Sequence, residues 1–291
     1  MSGLRRPENE KLTGRIRLIG SMALVLLAFA ANPLLCRMAL VGTHLDPASF
    51  TLIRLASGAI TLWLILQWQG RGAAPTGSRA GAISLFIYAA TLSYAYVTLD
   101  AGIGTLLLFG AVQVSMISAG LMQGERLRLR QVVGVVLAVL GLVILLAPGA
   151  TAPSWQGAIL MIISGLAWGV YSLLGRRSLS PVALTTGNFL GAVALAAVLL
   201  ALSAAWASWD LRGAAYAVAS GSIASGIGYA IWYSVLPALR ATQAAAIQLG
   251  VPALTAVGGI VFLGESLTLR LIWSSAGILG GIALVFIERR R

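Results

Sequence analysis

The chain has 291 residues, of which 59% are hydrophobic and 10% are charged, and its mean hydropathy is +0.93. A soluble domain carries roughly 25% charged residues, so this composition excludes a soluble globular protein. It predicts an all-α integral membrane protein, because a helix satisfies its own backbone hydrogen bonds in lipid. The net charge of +12 does not indicate nucleic-acid binding, since the basic residues lie in alternate loops between apolar runs.

Ten apolar runs follow one another along the chain, each of about 20 residues and therefore long enough to cross the hydrocarbon core as a helix. The connections between them are short and leave no room for a soluble domain. Any function must therefore lie within the helix bundle. The predicted spans are approximately 16–40, 48–68, 80–99, 102–122, 131–147, 156–176, 183–206, 213–236, 241–262 and 270–287.

One pattern occurs twice, at Gly124–Arg130 and Gly264–Arg270, and each copy leads into an apolar helix that contains glycine. The copies lie 140 residues apart and mark a duplication of nearly the whole chain. Because each predicted repeat holds an odd number of helices, the second must cross the membrane upside down relative to the first. The predicted segments are an N-terminal tail 1–15, a first five-helix repeat 16–147, a loop 148–155, a second five-helix repeat 156–287 and a C-terminal tail 288–291.

The basic residues predict the orientation of these spans. If the N-terminus is cytoplasmic, Arg212 and Arg270 fall in outer loops, whereas most of the other Lys and Arg residues fall inside. The positive-inside rule then places both termini in the cytoplasm. The inner set comprises Arg5, Arg6, Lys11, Arg15, Arg17, Arg71, Arg79, Arg126, Arg128, Arg130, Arg176, Arg177, Arg240, Arg289, Arg290 and Arg291.

The doubled Gly-Glu-x-Leu-x-Leu-Arg pattern, with Ile53-Arg54-Leu55 in the second helix and Trp168-Gly169 in the sixth, resembles the EamA-type branch of the drug/metabolite transporter superfamily. Within that branch the chain is most similar to bacterial exporters of aromatic and other amino acids. One departure is the first helix, which reads Phe29-Ala30-Ala31-Asn32-Pro33 where many relatives carry Trp-Gly.

This resemblance implies ten helices in two inverted repeats, with helices 1–4 and 6–9 around a central cavity and helices 5 and 10 to one side. It also implies export of small organic molecules across a bacterial inner membrane by alternating access.

Prolines inside apolar helices are candidates for a break in the helix or a gate. Pro33 follows Asn32 in the first helix, and Pro252 follows Gln248 by one turn in the ninth. A proline frees a backbone carbonyl, and such irregular backbone often lines transporter sites. The alternative is a simple kink packed against a neighbour.

Gln113 in the fourth helix is costly to expose to lipid, so it faces either another helix or the cavity.

Aromatic residues recur at helical spacing and suit the binding of an amphipathic solute. Trp168 and Tyr171 form one stripe, and Tyr229, Trp232 and Tyr233 form another. The alternative is an aromatic belt at the membrane surface, which is the stronger interpretation for the stripe at 229–233. The predicted substrate-binding residues are Asn32, Tyr88, Gln113, Trp168, Tyr171, Trp232 and Gln248.

Charged residues within or beside the helices are interpreted mainly as structural. Arg54 either contacts a substrate carboxylate or holds an external gate, or it donates hydrogen bonds to carbonyl groups of adjacent helices. The structural interpretation as a donor is preferred. The doubled motif supplies Glu125, Arg130, Glu265 and Arg270, which are predicted to cap or ion-pair the next helix.

Gly277 and Gly281 permit close helix contact, either within the chain or in a homo-oligomer.

The single Cys36 and single His44 exclude a disulfide within the chain and a His-based metal cluster, and no cofactor motif is present. A membrane-embedded enzyme would need a nucleophile and base at mid-depth, which the sequence lacks.

The leading hypothesis is an inner-membrane exporter of amino acids, above all aromatic and other neutral ones, or of similar amphipathic metabolites. The alternatives are a multidrug exporter and a passive channel. The predicted partners are the small-molecule substrate and the lipid bilayer.

Overall fold

The computed structural model describes residues 8–69, 74–122, 124, 128–149, 152–175, 178–235 and 247–286, with the backbone alone for residues 8–15. These residues form ten helices joined by short connections, in agreement with the number predicted. The helices are α1 Glu8–Gly42, α2 Pro47–Trp68, α3 Arg79–Ala95, α4 Ala101–Met122, α5 Leu129–Leu146, α6 Trp155–Gly175, α7 Pro181–Leu202, α8 Leu211–Val235, α9 Gly250–Leu263 and α10 Leu269–Phe286.

Seven of these helices, α1, α2 and α4 to α8, are long and apolar enough to cross a membrane. Helix α9 is apolar but has only 14 residues, the apolar stretch of α10 is limited to Leu269–Val285, and α3 has 17 residues. Large apolar side chains are exposed on the outer faces of the bundle, for example Trp63 on α2 and Trp273 on α10. In water such surfaces would be strongly unfavourable, so the chain is a multi-pass membrane protein.

Acidic side chains in the loops cap the helices that follow them. Asp46 Oδ1 accepts hydrogen bonds from the backbone N–H groups of Ala48 and Ser49, both at 2.9 Å, at the start of α2. Asp210 Oδ1 accepts one from Gly213 at 2.9 Å at the start of α8. This hydrogen bond holds the pKa of Asp210 below its ordinary value. The two acids therefore satisfy backbone donors that a helix leaves unpaired at its N-terminus.

The helix pairing is symmetric when each helix is exchanged for the one five positions along the chain. The pair α3–α6 corresponds to the pair α8–α1, and both pairs are in contact. The pair α4–α6 corresponds to α9–α1, and these helices are also in contact. The pairs α3–α7 and α2–α8 correspond in the same way. In the pairs α2–α7, α4–α9 and α5–α10, each helix contacts the helix that corresponds to it in the other half. The duplication seen in the sequence is therefore also present in the contacts between helices.

Glycines bring α5 and α10 into backbone contact. A Cβ atom added at Gly134 would lie 2.5 Å from the carbonyl oxygen of Gly281, and one at Gly277 would lie 3.0 Å from Cα of Gly141. Any larger residue would force the helices apart. Gly277 and Gly281 thus serve packing within the chain, which was one of the two interpretations of their spacing.

Pro33 does not interrupt α1, which continues from Glu8 to Gly42. The helix is therefore not broken at this position, and a role of Pro33 as a gate stays a prediction. A proline removes one backbone donor and displaces the carbonyl four residues earlier, at Phe29, and packing against neighbouring helices can absorb that change. The helical backbone is interrupted instead at Leu249, three residues before Pro252. Pro252 lies in the first turn of α9, where its missing N–H breaks no helical hydrogen bond.

Candidate functional site

Four aromatic rings from three helices meet inside the bundle, and we call Tyr88, Trp168, Tyr171 and Tyr229 the aromatic cluster. Trp168 of α6 is at its centre. Its ring centre lies 4.7 Å from that of Tyr88 on α3 and 5.4 Å from that of Tyr171. It stacks on Tyr229 of α8 at 5.6 Å, with 28° between the ring planes. The cluster therefore joins α3 of the first half to α6 and α8 of the second.

The glycine beside Trp168 explains why its ring points into this cluster. A Cβ atom at Gly169 would collide with Ser115 of α4, and one at Gly165 would lie 2.5 Å from the carbonyl oxygen of Leu108. The glycine face of α6 thus packs directly against the backbone of α4. Trp168 occupies the neighbouring position and projects toward α3 and α8 instead. The Trp-Gly pair therefore combines a close helix contact with an inward aromatic ring.

Arg54 of α2 is buried beside this cluster, with only 2% of its surface exposed. Its Nη2 donates a hydrogen bond of 3.1 Å to the Tyr88 hydroxyl, and its guanidinium carbon lies 5.2 Å from the centre of the Tyr88 ring. Its Nε and Nη1 atoms find no acceptor among the described residues. The preferred interpretation, in which Arg54 donates to carbonyl groups of adjacent helices, is therefore not what the described residues show. Because arginine stays protonated, the charge is retained.

Helix α8 departs from α-helical geometry where it passes Arg54. Ser220–Ile227 form a π-helical stretch. A Cβ atom at Gly221 would collide with the carbonyl oxygen of Arg54 and the hydroxyl of Ser57, so the backbones of α2 and α8 nearly touch here. A π-helical insertion inside an α-helix is rare and is found frequently at functional sites. The irregular backbone predicted for α1 thus occurs in its partner α8.

Asn32 holds α1 to this irregular segment. Its Oδ1 accepts a hydrogen bond of 2.8 Å from the Ser220 hydroxyl, and its Nδ2 lies 3.5 Å from the Ser225 hydroxyl oxygen. Both ends of the amide are thereby occupied by α8, and the side chain is buried. Substrate binding by Asn32 stays a prediction, whereas its contact with α8 is directly present.

Three other predicted site residues are not members of the aromatic cluster. Gln113 lines a pocket between α4, α5 and α10, together with Gly110, Gly134, Leu142, Ile282 and others. Its side of α4 therefore faces the α5–α10 pair, and its role in substrate binding stays a prediction. Trp232 packs on Phe29 at 6.1 Å and on Val25 and Val235, beside the cluster. Gln248 is half-buried just before the interruption at Leu249.

Glu265 and Arg270, from the second copy of the repeated motif, stabilise the ends of helices α4 and α5 and not the start of α10, the next helix. Both carboxylate oxygens of Glu265 accept from the backbone N–H of Ala101, at 2.8 and 3.0 Å, and therefore cap α4 rather than the next helix, α10. Glu265 also pairs with Arg37 Nε at 3.3 Å, and Arg37 pairs with Asp100 at 3.0 Å. The prediction that the cap belongs to the next helix is wrong because the α9–α10 connection lies beside the free amide of α4.

Arg270 donates to the backbone carbonyls of Leu145, Ala147 and Pro148 at the end of α5. It thus satisfies acceptors that a helix leaves free at its C-terminus. Arg130 is exposed in the first turn of α5. Glu125 lies outside the described residues. Within the described ranges, no group of three or more His, Cys, Asp or Glu side chains is placed to hold a metal ion.

Two residues of this site are more central than the sequence alone indicates. The sequence favours an interfacial belt for the stripe that contains Tyr229, yet Tyr229 stacks on Trp168 in the interior and is 5% exposed. Arg54 was interpreted as a structural donor. The signal for Arg54 was its position inside an apolar helix, since intramembrane charges are rare and usually functional. For Tyr229 no local signal distinguished an inward face from an interfacial one.

A family comparison finds the EamA-like transporter family twice in this chain, over residues 17–147 and again over 155–287. Among curated proteins, an uncharacterised protein of Pseudomonas aeruginosa is 53% identical over 267 residues, covering 91% of this chain and 93% of that protein. A protein of Streptantibioticus cattleyicolor named "Probable terminal-alkyne amino-acid exporter" is 29% identical over 223 residues, covering 74% and 73%.

A solved crystal structure shares the fold. It superposes with a TM-score of 0.65 at 20% sequence identity, covering 93% of this chain and 97% of the other.

Proposed function

Because the chain belongs to the EamA-like transporter family of the drug/metabolite transporter superfamily, and is thus a transporter and not an enzyme, we propose that it exports amino acids. The proposed substrates are aromatic and other neutral amino acids or similar small amphipathic metabolites. Export takes place across the bacterial inner membrane, with both termini in the cytoplasm. The orientation rests on the concentration of Arg and Lys in alternate loops.

The observation that carries this proposal is the aromatic cluster together with Arg54. Four aromatic rings offer apolar contact, and a buried guanidinium offers donors to a polar group. Small-molecule sites combine apolar walls with a few polar groups in this way. The name of the Streptantibioticus cattleyicolor relative supports the amino-acid class. A buried positive charge argues against the alternative, a multidrug exporter for organic cations, because like charges repel.

Alternating access by two inverted halves is the proposed mechanism. The candidate site lies where α2 and α3 of the first half meet α6 and α8 of the second. The symmetric helix pairing supports a two-fold arrangement of the halves. In an inverted-repeat transporter, rocking one half against the other exposes the interface to each side in turn.

The proposal is tested by efflux from proteoliposomes that are preloaded with radiolabelled aromatic, aliphatic or charged amino acids, with and without a proton gradient. We expect saturable efflux that does not require the gradient. Trp168→Ala should reduce it about tenfold, because one aromatic contact contributes about 1.4 kcal/mol. Trp273→Ala is the matched control, since Trp273 is 66% exposed on the outer face of α10. Failure of correctly inserted wild-type protein to move any amino acid would overturn the proposed substrate class.

A further inference from the structure

We propose that Arg54 binds the carboxylate of the transported molecule, so that recognition requires an anionic group attached to an apolar or aromatic body. This inference rests on the proposed transport function and adds the chemical group that the site selects. It makes Arg54 a binding residue rather than a structural donor.

The first argument is the unpaired hydrogen-bonding capacity of Arg54. A guanidinium carries five N–H donors in a planar fork. The structure gives it one bond, from Nη2 to the Tyr88 hydroxyl at 3.1 Å, while Nε and Nη1 are buried without an acceptor among the described residues. Buried polar groups in native proteins are nearly always satisfied, and an exception calls for a specific explanation. A carboxylate matches the planar fork better than any neutral group.

The second argument is the missing counter-charge. Among the described residues, the ion pairs are those that Arg37 makes with Asp100 and Glu265 at the end of α1. Arg54 has no such partner there, and it is 2% exposed. A buried ion without an opposite charge is strongly unfavourable. The Tyr88 ring at 5.2 Å compensates only in part. An anionic substrate group supplies what the surrounding helices lack.

The third argument is the position of Arg54 relative to the aromatic cluster. Arg54 lies seven residues after Pro47, which begins α2, and therefore about 10 Å along that helix. Tyr88 contacts both Arg54 and Trp168. A molecule whose carboxylate reaches Arg54 therefore lays its body against Tyr88 and Trp168. The guanidinium is covered in this arrangement, so the rings must separate when the substrate enters.

The test uses the purified full-length protein in detergent and four probes that share a phenyl ring. Phenylalanine and 3-phenylpropanoate carry the carboxylate, whereas phenylalaninamide and phenethylamine lack it. Binding is titrated by the change in tryptophan fluorescence, since Trp168 adjoins the proposed site. In wild-type protein we expect both carboxylates to bind at least about tenfold more tightly than the amide and the amine, the range of a charge-assisted hydrogen bond.

The variants separate recognition from folding. Arg54→Met should remove the preference for carboxylates and leave the weak binding of the amide unchanged, whereas Arg54→Lys should retain part of the preference. Arg37→Met is the matched control, because it removes a cation outside the aromatic cluster. Equal affinities for phenylalanine and its amide in the wild type, or no binding of either carboxylate, overturn the proposal. This comparison needs no variant, so it holds even if Arg54→Met misfolds.

The binding test of Arg54 and the efflux test of amino-acid export can fail independently of each other. If 3-phenylpropanoate binds through Arg54 and no amino acid is exported, Arg54 recognises carboxylates and the amino-acid assignment fails. If amino acids are exported and a folded Arg54→Met keeps the same preference for carboxylates, the assignment stands and the role of Arg54 fails.

Discussion

Polar side chains buried within the bundle fall into two groups, according to whether another helix supplies a hydrogen-bond partner. Asn32 is paired with Ser220, and Thr51 Oγ1 bonds to Ser93 Oγ at 2.9 Å between α2 and α3. Arg54, Gln113 and Thr255 retain buried atoms without a partner among the described residues. Pairs of the first kind hold helices together, because lipid offers no competing partner. Residues of the second kind are where a ligand can add a bond.

The Asn32–Ser220 bond should show a measurable coupling. Asn32→Ala and Ser220→Ala each remove the same contact, so their effects on the free energy of unfolding should not add. We expect a coupling of about 0.6 kcal/mol, the mean for buried pairs in membrane helices. The measurement is a double-mutant cycle by denaturant unfolding in mixed micelles.

A pair without a shared contact provides the control for this cycle. The Ser203 hydroxyl donates to the carbonyls of Leu199 and Leu200 in its own helix and shares no contact with Asn32, so Asn32→Ala and Ser203→Ala should be additive. Additivity of the Asn32 and Ser220 changes as well would contradict the proposed coupling.

At the scale of elements, connections of one half stabilise helices of the other. Glu265, between α9 and α10, caps α4 and pairs with Arg37 on α1. Asp46, between α1 and α2, accepts a bond of 3.1 Å from Ser208 N before α8. The N-terminus of α4 and the backbone before α8 are therefore satisfied by residues that are distant in the chain. The ends of these helices depend on the assembled bundle and not on local sequence alone.

Loss of the Glu265 carboxylate should destabilise the protein through α4. Glu265→Ala removes the N-terminal cap, which is typically worth about 1 kcal/mol, and leaves Arg37 Nε without its partner. Glu265→Gln keeps an oxygen for Ala101 and should lie between the two. The measurement is the midpoint of thermal unfolding in detergent.

Ser266→Ala is the control for this series, since Ser266 is exposed in the same connection. A midpoint for Glu265→Ala equal to that of Ser266→Ala would show that the cap does not contribute to stability.

At the scale of the whole molecule, the central question is the orientation of the two halves. The helix pairing is symmetric, and the proposed inverted topology places the two copies of the repeated motif on opposite membrane faces. Cysteine labelling can test this directly. The native Cys36 is fully buried and can be replaced by alanine to give a background without thiols.

In that background, Arg128→Cys and Ser266→Cys place one exposed thiol before α5 and one before α10. We expect Ser266→Cys to react with a membrane-impermeant maleimide in intact spheroplasts, whereas Arg128→Cys should react only after the membrane is permeabilised. The physical reason is the odd number of helices that separates the two positions. Labelling of both positions from the same side would contradict the inverted arrangement.

Part of the site was predictable from single residues. Aromatic character and depth predict Trp168, Tyr171 and Tyr88 as site residues, and the structure brings all three together. Gln113 was selected because an amide avoids lipid, but that argument does not say which neighbour it faces. In a membrane helix nearly every side is apolar, so hydrophobic periodicity does not reveal the inward face. The direction of Gln113 therefore had to come from the packing of α4 against α5 and α10.

The amino-acid sequence by itself determined a multi-pass helical membrane transporter with a duplicated architecture. Those properties depend on features that lie along the chain, namely apolar runs of about 20 residues and a motif repeated at Gly124 and Gly264. Only the tertiary structure decided which residues meet. It joined Asn32 to Ser220, Glu265 to Ala101 and Arg54 to Tyr88. These pairs depend on where small residues let helix backbones approach, as at Gly221 and Gly169, and that fit exists only once the helices have assembled.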